Sequence, residues 1–235
     1  VVILTILSIV AIPAYFMQGG TVFGFIALLL IIKVAGSLGQ IGSHRWLCHN
    51  SFTPTLFGKV LMMSGLLFGG YGKPVHLVIA HRLHHANVDN ESDPHSPKFK
   101  SFMSLWLGRY TLSNGIRVPK EFLRRKDLVF FNTHYWKIYA VFNIILALVD
   151  FKTALLFCPL LFSWSWFLNT CINYHGHKNT DTKEVAPRNL NKFMVFLTNG
   201  EGLHKNHHDN PNAYSFGTAD AYDSSGWIID KFLKT

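Results

Sequence analysis

Residues 21–42 read TVFGFIALLLIIKVAGSLGQIG and contain a single charged side chain, that of Lys33. At a rise of about 1.5 Å per residue, a helix of about 20 residues crosses the roughly 30 Å hydrocarbon core of a membrane. The stretch therefore predicts a membrane-spanning helix. Residues 44–49, which follow almost directly, read HRWLCH, so two histidines are expected where this helix leaves the membrane.

Further apolar stretches predict more spans. Residues 1–16 and 153–174 contain no charged side chain. Residues 138–149 are apolar over a shorter length, but the preceding Tyr-Trp-Lys sequence adds an interfacial anchor, so a span is expected at 136–149. Residues 56–71 are also apolar, yet Lys59 and a run of glycines make a buried or interfacial helix the better interpretation.

Four spans joined by two short turns, at residues 18–20 and 150–152, place the connecting segments 43–135 and 175–235 on one side of the membrane. These two segments hold 19 of the 22 lysines and arginines. The positive-inside rule therefore makes that side cytoplasmic. The predicted fold is all-α: one domain over residues 1–235, a multi-pass membrane protein with four transmembrane helices in two hairpins and a cytoplasmic histidine-rich helical cap. Because Val1 already lies in an apolar run, we expect the natural chain to begin earlier.

The composition excludes several classes of protein. With 49% hydrophobic and 15% charged residues, the chain is not disordered. The net charge of +9 lies mostly in the predicted cap, where it suits a membrane surface, so no nucleic-acid partner is expected. The three cysteines have no metal-binding spacing and are interpreted as small core residues.

Thirteen histidines are unusually many, and most lie in three motifs. Residues 81–85 read HRLHH and residues 204–208 read HKNHH; on a helix, this spacing should bring the three imidazoles of each motif to a common point. His44 and His49 would lie about 140° apart on an ideal α-helix, so they should bend around their target from a helix end. Four of the five histidines outside these motifs are expected to have ordinary surface or structural roles: His76, His95, His134 and His175.

Eight clustered imidazoles are too many for one ion, whereas two ions with five or six positions each would use them. Imidazole suits iron, and a site at a hydrocarbon boundary favours oxygen chemistry on a lipid. A non-haem di-iron centre is therefore expected. Neighbouring carboxylates should accept the second ring N–H of the ligands and so fix each tautomer; the candidates are Asp89, Asp93, Glu201 and Asp209.

The three motifs and their flanks, HRLHHANVDNESDPHSP at 81–97 and NGEGLHKNHHDNP at 199–211, resemble the membrane fatty-acid desaturases, specifically the stearoyl-CoA-type delta-9 branch. The resemblance extends over residues 36–234. It implies two irons in the cap and adds an Asn-x3-His motif, which Asn173 and His177 fit; a second register, with Asn169 first, would place Asn173 at the histidine position. The metal-binding set implied by the first register is His44, His49, His81, His84, His85, Asn173, His177, His204, His207 and His208.

The resemblance also implies the reaction. The chain would use O₂ as co-substrate to introduce a cis double bond, at the delta-9 position, into a long-chain fatty acyl substrate carried on CoA, carrier protein or lipid. Two electrons would come from an external donor of ferredoxin or cytochrome b5 type, and membrane lipids would be the remaining partner. Two alternatives stay open. One is a membrane di-iron hydroxylase or ketolase acting on an alkane, sterol or carotenoid; the other is a haem or metal-transport protein, which would need histidines inside the spans.

Overall fold

The computed structural model describes residues 2–108, 118–179 and 182–235, and no β-strand occurs among them. This confirms the predicted all-α class. The α-helices are α1 (Val2–Met17), α2 (Val22–Gln40), α3 (Leu56–Phe68), α4 (Pro74–Ala86), α5 (Phe102–Trp106), α6 (Lys120–Leu123), α7 (Lys126–Val149), α8 (Phe151–His175), α9 (Lys192–Leu197), α10 (His204–Asp209) and α11 (Ser224–Ile228). A π-helical segment, Ile41–Cys48, continues α2, and a second, Ile229–Leu233, continues α11.

Two helices of the described chain are long and apolar enough to cross a membrane: the continuous helix Val22–Cys48 and α8. The stretch Ile3–Met17 within α1 is apolar but shorter. Helix α7 begins at Lys126, ten residues before the predicted span, because Leu128, Phe131 and Tyr135 recur at helical spacing and are all buried. Helix α3 is apolar but has only 13 residues, in line with its interpretation as a buried or interfacial helix.

Of the two predicted turns, one is confirmed and the other is shorter than predicted. The first is confirmed: Gly19 has a φ of +79°, and the Thr21 side chain caps α2 by accepting the Gly24 N–H. The second prediction was too long. Only Asp150 separates α7 from α8 and caps α8 through the Thr153 N–H, so Phe151 and Lys152 already belong to α8.

Helix packing departs from a simple pair of hairpins. Helix α1 packs mainly along α8, which also contacts α7, whereas α2 packs mainly against α3. The α2–α3 contact depends on two glycines, since a Cβ atom on Gly39 would lie 2.6 Å from the Gly65 oxygen and one on Gly65 would lie 2.5 Å from the Gly39 nitrogen. Close approach of these backbones fixes the direction in which α2 delivers its continuation, Ile41–Cys48.

Candidate metal centre

The first histidine motif lies on the π-helical segment Ile41–Cys48. The backbone N–H of His49 donates to the His44 carbonyl at 3.2 Å, a hydrogen bond across five residues. Residues five apart therefore lie one turn apart, and the rings of His44 and His49 have centroids 5.1 Å from each other. The splay of about 140° applies to an α-helix only, and here the π-helical geometry brings the two rings to the same place.

The structure brings all nine histidines of the predicted set together: eight form two clusters and His85 lies between them. Within each cluster, the candidate ligand atoms lie within 4.8 Å of one another. Cluster one contains His44, His49, His81 and His207, and cluster two contains His84, His177, His204 and His208. His177 follows the end of α8, so four separate segments of the chain contribute.

The motifs interleave between the clusters. Helix α4 gives His81 to cluster one and His84 to cluster two, with ring centroids 6.0 Å apart. Helix α10 likewise gives His207 to cluster one and His204 to cluster two. The expectation that the second and third motifs each direct three rings to one point was therefore wrong. Each of these two motifs supplies both clusters, because neighbouring residues on a helix point about 100° apart.

His85 lies between the two clusters. Its Nε2 atom is 2.8 Å from Nε2 of His207 in cluster one. Its ring stacks on that of His208 in cluster two, with centroids 4.4 Å apart and an interplanar angle of 16°. His85 can thus serve as a fifth imidazole for cluster one while it separates the two groups.

Three predicted carboxylates contact the outer nitrogens of these rings. Oε2 of Glu201 lies 2.5 Å from Nδ1 of His44. In cluster two, Asp93 lies 2.8 Å from Nδ1 of His84, and Asp89 lies 2.9 Å from Nδ1 of His177. Because an ionised carboxylate only accepts, each of these Nδ1 atoms carries the proton and the Nε2 lone pair points into the cluster.

Asp209, the fourth predicted carboxylate, instead pairs with Lys205 at 2.5 Å, on the exposed side of α10. It does not contact a clustered ring, so its predicted role was wrong.

The inward-facing nitrogens fit a cation. Nε2 of His44 lies 3.1 Å from Nε2 of His207, and Nε2 of His177 lies 2.9 Å from Nε2 of His204. The carboxylates accept the Nδ1–H groups of His44 and His177, and the inner Nε2 atoms converge on a common point as metal-binding imidazoles do.

Electrostatics keeps the remaining rings neutral. Burial, reinforced by neighbouring rings, lowers the pKa of His81, His204 and His207 well below 6.5. The same causes lower the pKa of His49 to about 2 and that of His85 to about 3. Neutral imidazole is the form that binds a transition metal, so these five rings are in the binding form at neutral pH.

Arg45 forms a buried ion network behind cluster one. Its side chain is fully buried and donates to Oε1 of Glu201 at 2.8 Å and to Asp223 at 2.7 Å, while its guanidinium lies 3.9 Å from the Phe216 ring centroid. Burial raises the pKa of Glu201, but Arg45 and His44 outweigh this effect and bring that pKa down to about 2. Arg45 and Asp223 were not predicted from the sequence; the signal for Arg45 was a charged residue inside the first histidine motif.

Asn173 and the remaining histidines lie around the clusters. Asn173 is buried in the last turn of α8 and lines a cavity together with Asn169, His44 and His204. His175 packs against the rings of Phe102 and Tyr174, outside both clusters.

The three other histidines differ in their settings. His134 contacts the Phe130 ring, and His76 is exposed at the same cavity. His95 is buried and forms a third potential metal-binding group with His84 and Asp93. It therefore lies nearer to cluster two than its predicted ordinary role implied.

Two cavities adjoin the clusters. The larger, about 580 Å³, reaches from Leu4, Trp136 and Phe162 to His44 and His81. The smaller, about 390 Å³, lies between α2, α8 and residues 197–199. They share four lining residues, Gln40, Tyr71, Ile172 and Glu201, so the two cavities adjoin each other beside Glu201, which contacts His44.

The sequence model of a family described as fatty acid desaturase matches residues 20–222. An acyl-CoA 5-desaturase, AL21, from Anemone leveillei is 27% identical over 218 residues, which cover 88% of this chain and 67% of that protein. An sn-2 palmitoyl-lipid 9-desaturase from a Nostoc species is 27% identical, with 81% and 71% covered, and an sn-1 stearoyl-lipid 9-desaturase from Anabaena variabilis is 28% identical, with 77% and 69% covered.

Proposed function

Because this chain belongs to the fatty acid desaturase family, and is therefore an oxidoreductase, we propose that it introduces a cis double bond into a long-chain acyl substrate at a non-haem di-iron centre. The observation that carries the proposal is the junction of the two cavities at Gln40 and Glu201, next to the rings of cluster one. A mid-chain methylene pair held at this junction would lie beside the metal centre while the rest of the chain occupies apolar space.

The ligand sets follow from the two clusters. Five imidazoles would hold one iron, and four would hold the other together with Asn173 through a water. The first set is His44, His49, His81, His85 and His207; the second is His84, His177, His204 and His208. Bound iron would supply the O₂-derived oxidant that an unactivated C–H bond requires and that no amino-acid side chain provides.

The chain's own residues would bind and orient the substrate. Apolar walls formed by Leu4, Trp136 and Phe162 suit an alkyl chain in the larger cavity, and Leu29 and Leu160 suit one in the smaller. An acyl chain that passes from one cavity to the other is fixed along its length, so the carbon atoms presented to the centre are set by how far the chain extends into each cavity. Closure by these side chains also excludes water.

We propose the delta-9 position for the double bond, supported by the motif resemblance and by the two lipid 9-desaturases among the relatives. The plant relative is an acyl-CoA 5-desaturase of comparable identity. Relatives of this similarity thus differ in both bond position and acyl carrier, so product analysis must assign the position and the carrier.

We also propose a single four-span domain, with α1, α2, α7 and α8 crossing the membrane and both histidine clusters on the cytoplasmic face. The two long apolar helices and the distribution of lysine and arginine support this arrangement. On that face, a ferredoxin or cytochrome b5-type protein would deliver the two electrons required per turnover, and a basic surface suits an acidic donor.

Expression in a host that lacks unsaturated fatty acids, followed by mass spectrometry of its lipids, tests the reaction. We expect acyl chains with two hydrogens fewer and one cis double bond, and none from the His84→Ala or His207→Ala variants. Products that retain an added oxygen would instead identify a hydroxylase or ketolase. Purified protein should contain about two irons per chain and less zinc; stoichiometric zinc with full activity and no iron would contradict the di-iron proposal.

A further inference from the structure

Helix α9 has an apolar surface that the protein core does not use. Its residues 193–197 read FMVFL. Phe193 is 68% exposed and Phe196 is 69% exposed, while Val195 is buried. Two neighbouring phenylalanines on one short helix would be unfavourable in water, since each leaves a large apolar area exposed.

This helix is attached to α2 within its apolar stretch. The Lys33 ammonium donates to the carbonyls of Phe196 and Leu197, both at 3.3 Å, and to Oδ1 of Asn199 at 3.0 Å. It also lies 4.9 Å from the Phe196 ring centroid. Lys33 precedes Gln40 by seven residues, so the attachment lies about 10 Å before the end of α2.

The attachment suits a low-dielectric setting. A lysine inside a span is costly unless its charge has partners. Here the ammonium caps the carboxyl end of α9, where the carbonyl oxygens carry partial negative charge. Leu30 and Val34, adjacent on α2, are 59% and 61% exposed, so the exposed face of α9 continues an apolar surface that belongs to a predicted span.

We propose that α9 is a membrane anchor: Phe193 and Phe196 lie in the bilayer leaflet on the cap side, and Lys33 holds the helix there. The partner is the lipid bilayer. The proposal rests on the proposed membrane topology, and it changes one part of it, because residues 175–235 were assigned to the aqueous cap as a whole.

The anchor lies next to the metal centre in the chain. Asn199, which Lys33 binds, comes two residues before Glu201, which contacts His44. The segment before the third histidine motif would thus be held at a fixed depth by the lipid around Phe193 and Phe196 and by the hydrogen bonds from Lys33.

Nitroxide labels on the full chain in phosphatidylcholine nanodiscs would test the anchor, with Cys158 replaced by alanine because the other two cysteines are buried. The test label replaces Phe196 (Phe196→Cys). A reference on the α2 surface uses Leu30→Cys, and a reference on an exposed site of the cap uses Tyr222→Cys. Oxygen concentrates in hydrocarbon and a nickel chelate stays in water, so their collision rates with each label report its surroundings.

We expect the label at 196 to resemble the label at 30, with fast oxygen and slow nickel collisions. A label at 196 that resembles the one at 222, while 30 remains in lipid, would overturn the anchor and leave the topology intact. If the label at 30 also collides with nickel, the topology itself fails and the anchor fails with it. Lys33→Met should increase the mobility of the label at 196, whereas Lys152→Met should not. Equal mobility in both variants would contradict the attachment of α9 by Lys33.

Discussion

The Nδ1 atom of His44 lies 2.5 Å from Oε2 of Glu201, a residue 157 positions further along the chain. Both side chains are almost completely buried, and Arg45 contacts the second oxygen of the same carboxylate. The orientation of a cluster-one ring therefore depends on an ion network that joins the first histidine motif to the segment before the third. Partners of this kind raise ligand basicity and hold ring orientation.

Replacing Glu201 with glutamine should weaken metal binding at cluster one by about 10- to 100-fold, the usual effect of losing a carboxylate behind a metal-binding histidine. Under a chelator that spares wild type, the purified variant should retain about one iron per chain. Iron analysis together with Mössbauer spectroscopy would show whether one of two sites is lost. Asp209→Asn, at an exposed pair with Lys205, is the matched control; equal iron retention by the two variants would refute the role of Glu201.

His177→Ala should lose activity and part of the iron, whereas His175→Ala should be close to wild type. The reason is geometric: His177 lies in cluster two and contacts Asp89, while His175 packs against aromatic rings outside it. Asn173→Ala should lose activity with a smaller loss of metal, since it would act through water. Product yield and iron content measure each effect. An inactive His175→Ala beside a fully active His177→Ala would require the register that begins at Asn169.

Cysteine labelling should place residues 100 and 215 on the same side of the membrane and residue 151 on the opposite side. The interleaved clusters require the first and third motifs to meet, so the chain between them must cross the membrane an even number of times. Membrane-impermeant maleimide applied to sealed vesicles, before and after permeabilisation, measures the side. Labels at 100 and 215 on opposite faces would exclude the four-span arrangement.

The metal-free protein should become less stable as the pH falls from 7 to 5. Burial and neighbouring rings lower the pKa of His49 and His208 to about 2 and that of His85 to about 3 in the folded chain, against 6.5 ordinarily. Between these values the unfolded chain binds more protons, so the free energy of unfolding decreases as the pH decreases. Thermal unfolding of chelator-treated protein in detergent measures the trend, and His85→Asn should reduce its slope. A midpoint that stays constant between pH 7 and pH 5 would contradict this expectation.

The sequence predicted much of the site because its chemistry lies in local spacing. The three motifs identified eight of the nine histidines, the family resemblance added His177, and proximity in sequence was enough to nominate Asp89 and Asp93. Spacing could not show that residues 41–48 form a π-helix, because that choice depends on packing around Ile41 and Trp46, both buried. It also could not show that α4 divides its rings between two clusters.

Long-range contacts were the other limit. From the sequence, Arg45 is an ordinary charged residue in a motif. Its contact with Asp223, 178 residues away, is visible only in the structure. Lys33 likewise reads as an isolated charge in a span, and its three acceptors lie more than 160 residues later. The positions of turns and helix ends were predicted more accurately. The glycine turn before α2 was correct, while α7 starts earlier than hydropathy indicated, because its first turns mix buried apolar residues with polar ones.

The interleaving of the histidine motifs also sets an order of events during biosynthesis. His44 leaves the ribosome 163 residues before its inner neighbour His207. At about 5–20 residues per second, that interval lasts roughly 8 to 30 seconds. Neither cluster can be complete until α8 has formed and the third motif has been translated. If the proposed metals bind, their loading would follow synthesis of the whole chain, because a nascent chain would hold only part of each set of imidazoles.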